Sequence, residues 1–98
     1  MKTMNLKELL KEYKEVLENT SIDVPSDVNY LMMCRSSLIG RIKGLSDNQL
    51  IKFLRIDSKF TDIIKDIIKK NPELKDSINN KSVIVYYEIQ TRRLMAQR

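Results

Sequence analysis

The sequence predicts an all-α fold: a compact bundle of four to six short helices, with the C-terminal helix at its centre. Three observations predict it. Apolar residues recur at the three- and four-residue spacing of a helix face over most of the 98 residues. Residues suited to capping stand where those stretches begin. Gly and Pro number only two each, too few for a turn-rich β protein. A chain of this length supports one domain with one modest core, so residues 1–98 are read as a single unit.

The first helix follows from Leu6, Leu9, Leu10, Tyr13, Val16 and Leu17, which share a face. Asn5 is placed to cap it, with Glu8 as its reciprocal partner. Its other side alternates Lys and Glu. The pairs Glu8–Lys11, Lys11–Glu15 and Lys14–Glu18 predict a solvated, ion-paired surface.

"NTSIDVPSD" then breaks the pattern. Pro25, Ser26 and Asp27 mark a turn and a new start, and Ile22 and Val24 are expected to pin this loop to the core. The second helix is expected from about Asp27 to Lys43, with Val28, Leu31, Met32, Leu38, Ile39 and Ile42 as its stripe. Gly44 stands where a left-handed C-terminal cap belongs. Gly40, inside the helix, is expected to permit close approach of another helix.

Ser46 and Gln49 form a capping box at the start of a third stretch. Leu50, Ile51, Phe53 and Leu54 follow, and Phe60, Ile63, Ile64, Ile67 and Ile68 form a second stripe. The stripe changes phase at Asp57-Ser58, so either one helix bends there or Asp57 caps a new one, and the break is the favoured expectation. Asn71-Pro72-Glu73 is a further start signal, opening a short helix that ends at Asn79-Asn80.

Residues 82–95, "SVIVYYEIQTRRLM", begin with an apolar run that would suit a buried strand. Nothing else in the chain looks like a strand, and a lone strand leaves its backbone groups unpaired. A helix is therefore expected, with Ile84, Tyr87, Thr91, Leu94 and Met95 on one face. Val83, Tyr86, Ile89 and Arg93 flank that face. Its first turn and a half is apolar all round, so it should lie centrally or against a partner.

Composition bounds the function. Charged residues are 32% and hydrophobic residues 42% of the chain, a globular balance. One Ala against twelve Lys and twelve Ile suits an AT-rich genome, such as that of a bacteriophage or mobile element. The single cysteine, Cys34, excludes an internal disulfide. The N-terminus lacks the apolar core of a secretory signal, and no run approaches a membrane span. A cytoplasmic setting is expected, or the host cytoplasm or virion for a phage-encoded chain, without membrane contact.

There is no His, which removes the commonest general base and metal ligand. No Gly-rich phosphate loop occurs. Cys34 reads as a small half-buried residue, although Arg35 beside it could activate a thiol. Asp62 and Asp66 share a helix face, where Lys65, Lys69 and Lys70 predict ion pairs and not a metal site. The expectation is a non-enzyme with no catalytic residue, metal, cofactor or small-molecule substrate.

The net charge of +5 fits nucleic acid, an acidic protein surface or simple solubility. Two binding readings remain. The favoured one is a protein partner, self or other, met by Val83, Tyr86, Tyr87, Arg92 and Arg93, since Tyr and Arg are enriched at interfaces. Tyr13 and Tyr30 add to it, as does the acid-free C-terminal end with Arg98. Its competitor is that residues 83–87 form the chain's own core. The alternative is a DNA- or RNA-binding regulator using Arg35, Arg41, Lys43, Lys52, Arg55 and Lys59. "LSDNQLIKFLRIDSKFTDIIKDII" is similar to a helix-turn-helix unit, with Ile56 before a polar turn. It departs from that pattern at Ile51, where a small residue is usual, and at Arg55, where Gly is usual. Its second helix would also bring Asp62 and Asp66 towards phosphates.

Overall fold

The computed structural model describes residues 4–97, and all regular structure in them is helical. There are four α-helices: α1 (Leu6–Asn19), α2 (Pro25–Gly40), α3 (Asp47–Lys70) and α4 (Lys75–Ala96). Two 3-10 turns, Ile42–Gly44 and Pro72–Leu74, lie between α2 and α3 and between α3 and α4. Helix α1 packs on α2 and α3, while α4 packs on α2 and on the two turns. The expected all-α bundle is what forms. Arg98 lies outside the described residues.

Helix α1 begins as its sequence requires. The Glu8 amide donates to Asn5 Oδ1 at 2.8 Å, and Asn5 Nδ2 donates to Glu8 Oε1 at 2.9 Å. Leu9, Leu10 and Tyr13 are buried. The Lys and Glu side chains pair across helices and not along α1: Glu18 meets Lys59 at 3.5 Å, and Glu12 accepts from the Tyr30 hydroxyl at 2.9 Å. Ile22 packs on the core, whereas Val24 is exposed and serves as the N-cap of α2.

Helix α2 starts at Pro25, whose missing N–H costs nothing at the first helical position. It ends at Gly40, earlier than expected, and tightens into the Ile42–Gly44 turn. No described glycine has positive φ, so Gly44 is not a left-handed cap. A Cβ on Gly40 would meet nothing within 4 Å, so no helix approaches there.

Helix α3 is continuous through Asp57-Ser58, which corrects the expected break and removes the helix-turn-helix unit. The Ser46 capping box forms in both directions: Gln49 N donates to Ser46 Oγ at 3.1 Å, and Ser46 N donates to Gln49 Oε1 at 2.9 Å. Leu50, Phe53, Asp57, Phe60 and Ile67 are buried at three-, four- and seven-residue intervals on one unbroken face. Asp57 occupies a core position on that face.

Asp57 is the hub of a buried polar network with a member from every helix. The Tyr13 hydroxyl of α1 donates to Asp57 Oδ1 at 2.5 Å. Arg35 of α2 donates through Nε to Oδ1 at 3.0 Å and through Nη2 to Oδ2 at 3.3 Å. The same Nη2 reaches Ser82 Oγ of α4 at 3.2 Å. The guanidinium lies 4.4 Å from the Phe60 ring centroid, so its open face meets an aromatic surface. No buried side-chain N or O among the described residues lacks a partner. Satisfied in this way, a buried charge pair fixes how four helices meet.

Asn71 ends α3 and is also the N-cap of the Pro72–Leu74 turn, with Pro72 at the first helical position and Glu73 in the first turn as the sequence predicts. Its backbone N–H and its Nδ2 both donate to Ile67 O, at 2.8 and 3.1 Å. The chain then turns through Pro72–Leu74 into α4, which runs past Asn79-Asn80 without a break. The strand-like run is helical, as expected. Its position differs from expectation, because only Ile78 and Val85 of α4 are buried, with Ile89 partly so. Helix α4 is a flank of the bundle and not its centre.

Candidate functional site

At 100° per residue, Ile78, Val85 and Ile89 define the inward side of α4. Val83, Tyr87, Gln90 and Leu94 follow at 4-3-4 spacing on the opposite side. The apolar face read from the sequence is therefore the outward one. Val83 is 49% exposed, Ile84 43%, Tyr86 58%, and Tyr87, Leu94 and Met95 65% each. Tyr86 and Tyr87 stand edge to face with ring centroids 6.0 Å apart. The notion that residues 83–87 form the chain's own core is corrected: Val85 alone of the five is buried.

Beyond Asp76 of the first turn, the outward side is also nearly uncharged. Among the exposed residues from Asn79 to Gln97, Arg93 alone carries a charge. Ile84 borders a groove of about 520 Å³ with Leu6, Ile39 and Ile42, so the apolar surface continues from α4 towards the end of α2, where it meets Arg41 and Lys43.

Arg92, expected at the interface, is turned back into the fold. Its Nη2 donates to Leu45 O at 2.6 Å and Ile42 O at 3.1 Å. Its Nη1 meets Asp47 Oδ1 at 3.1 Å, and its Nε meets Glu88 Oε1 at 3.0 Å. The guanidinium thus clasps α4 to the connection before α3. It gives the Leu45 carbonyl its donor and adds a second to the Ile42 carbonyl, which already accepts from Leu45 N. Arg93 is exposed.

The six cations of the nucleic-acid alternative do not form one surface. Arg35 is only 4% exposed and is committed to Asp57, so it cannot reach a phosphate. Arg41 Nη1 donates to Met4 O at 2.7 Å. Lys43 is exposed on the turn after α2 and lines the same groove as Arg41. Lys52, Arg55 and Lys59 do converge, on one side of α3, and Lys14 of α1 joins them around a groove of about 240 Å³ floored by Ile56. Lys14 was not among the expected residues. Only its place on the flank of α1 that meets α3 could have shown it.

Other candidates resolve into structure. Cys34 is buried, and its thiol is pushed up by desolvation and then by the Glu12 charge. Arg35 does not activate it, because the guanidinium faces Asp57. Tyr13, offered as an interface residue, is fully buried. Tyr30 is partly exposed beside a cleft of about 440 Å³ that includes Met33 and Cys34. Asp62 and Asp66 are exposed, and neither is ion-paired among the described residues. Lys70 pairs instead with Asp23 of the loop after α1. No group of three or more Cys, Asp and Glu gathers as a metal site among the described residues. No described helix is long and apolar enough to cross a membrane.

Comparison with known protein families, with curated proteins and with solved structures finds no match.

Proposed function

We propose that this chain is a small non-enzymatic accessory protein that docks on another protein surface through the outward side of α4, in a structural, inhibitory or regulatory role. The observation that supports it is the set of six large apolar side chains, Val83 to Met95, held in water on a regular helix. A contiguous apolar patch beyond a few hundred Å² marks an interaction site on a soluble protein. Tyr86 and Tyr87 suit the purpose, since each offers a wide apolar ring and a hydroxyl that tolerates water when free.

Tyr86→Asp and Tyr87→Asp test this proposal. On a docking face, both variants keep the parent's circular dichroism and unfolding midpoint, since exposed substitutions usually change stability by less than about 0.5 kcal/mol. Both also lose whatever assembly the parent forms. Unfolding of both variants would show that the rings hold the fold, and the proposal would be withdrawn.

A second reading, nucleic-acid or other polyanion binding, is favoured by one observation: Lys14, Lys52, Arg55 and Lys59 share a groove. Binding of a labelled duplex by nuclease-treated protein would then fall with salt, with a log–log slope of about −3 to −4 for four neutralised phosphates. Lys52→Glu with Arg55→Glu would abolish it, and Arg41→Glu would not. An affinity unchanged by the first pair removes this reading.

A further inference from the structure

We propose that the surface covering the outward side of α4 is the same side of α4 in a second copy of this chain, giving a two-fold homodimer. This inference rests on the docking role proposed for that side and names its partner.

Area is the first ground. The exposed parts of Val83, Ile84, Tyr86, Tyr87, Leu94 and Met95 amount to roughly 700 Å² per chain, close to the roughly 800 Å² each partner contributes to a standard interface. The stripe Val83–Tyr87–Gln90–Leu94 has the 4-3-4 spacing of a paired-helix seam, with Tyr86 on one flank and Ile84 and Met95 on the other.

Charge is the second ground. The chain carries +5, and its cations are what would steer an acidic partner. From Asn79 to Gln97 the exposed residues of α4 carry one charge, Arg93 at the edge, and the exposed Asp76 in line with the stripe would repel an acidic partner. A second copy needs no opposite charge. This side is where two basic chains meet without opposing like charges across the contact. Asn80, Gln90 and Thr91 along the strip supply donors and acceptors that are complementary to themselves under a two-fold axis.

Self-pairing is isologous, so every substitution acts twice. Size-exclusion chromatography with light scattering on the full chain, loaded at roughly 100 µM to cover the micromolar end of such interfaces, is expected to give twice the 11.5 kDa of one chain. Tyr87→Asp and Leu94→Asp are expected to give one chain's mass with unchanged helicity. Tyr87→Cys is expected to form a covalent dimer on mild oxidation, because Cys34 is buried and does not compete. It covers the case in which an aspartate variant fails to fold.

A monomeric parent whose aspartate variants stay folded would overturn self-pairing while leaving α4 as a docking face for another protein. A monomeric parent whose variants unfold would overturn both. A dimer that survives the two aspartates, with no crosslink at position 87, would place the contact elsewhere and overturn both.

Discussion

Arg35 and Asp57 form a buried ion pair between α2 and α3, 3.0 Å from Nε to Oδ1, with side chains only 4% and 11% exposed. Each charge is compensated almost wholly by protein. Asp57 accepts from Arg35 and Tyr13, and Arg35 is completed by Ser82 and by the face of Phe60. Removing one partner strands the other charge without water. Arg35→Met and Asp57→Leu are each expected to cost about 3–5 kcal/mol in urea unfolding. The double variant is expected to recover most of that loss, since it strands no charge.

The same network sets the response to alkali. Burial first, and the Asp57 charge next, raise the Tyr13 hydroxyl far above its ordinary value of 10.0. Below pH 10 the folded and unfolded chains both hold this proton, and the contribution to stability is complete. Above pH 10 the unfolded chain releases it and the folded chain keeps it, so stability falls by up to about 1.4 kcal/mol per pH unit. Tyr30, pushed up to about 12 chiefly by its hydrogen bond to Glu12, adds to the loss in the same range. Tyr13→Phe is expected to be less stable at neutral pH by about 1.5–3 kcal/mol, with a flatter decline above pH 10. Unfolding midpoints from pH 7 to 11 would show both.

Arg92→Ala is expected to release the C-terminal half of α4. It leaves the Leu45 carbonyl without its side-chain donor, the Ile42 carbonyl with Leu45 N alone, and Glu88 without its cation. A loss of about 1–3 kcal/mol follows for such groups. Hydrogen exchange would read it as faster exchange in residues 88–96, with α1 and α3 protected as before. Arg93→Ala is expected to do neither.

Ser46→Ala is expected to cost about 1 kcal/mol, the usual value of an N-cap side chain. Both halves of its capping box are formed. Gln49→Ala removes only the return bond to Ser46 N and is expected to cost less. Thermal unfolding of the two variants would rank them.

The sequence was most legible where local chemistry decides. Asn5 with Glu8 and Ser46 with Gln49 cap the helices they precede, and the periodic stripes of α1 and α3 are buried. The helical state of residues 82–95 was legible too, because a strand there had nothing to pair with.

It failed where a charged residue did the work of an apolar one. Asp57 looks like a cap in an apolar pattern, so α3 was split at a residue that its partners draw inward. Arg35 looks like a phosphate ligand for the same reason. Both belong to one pair, and each alone argues for the surface. Asn71-Pro72-Glu73 does open the next helical stretch, whereas Asn79-Asn80 misled through propensity, since a pair of Asn often stops a helix. Tertiary packing carries α4 through that pair.

Of the residues read as a protein-binding face, only some sit on the surface. Val83, Tyr86 and Tyr87 are exposed and together, while Arg92 is spent inside the fold. Whether an apolar helix side faces in or out is not local information. Helix α4 has two such sides, and the one with Val85 and Ile78 faces the bundle.

That double-sidedness reaches beyond binding. Inward, α4 is held by Ile78, Val85 and the half-buried Ile89, one serine contact and one arginine clasp, a thin attachment for a helix of 22 residues. A chain with its outward side uncovered has the least protected helix, and that helix is where a protease would first gain hold. If a partner covers that side, bound copies would outlast free ones. Turnover would then hold the cellular amount of this protein to the amount that is assembled.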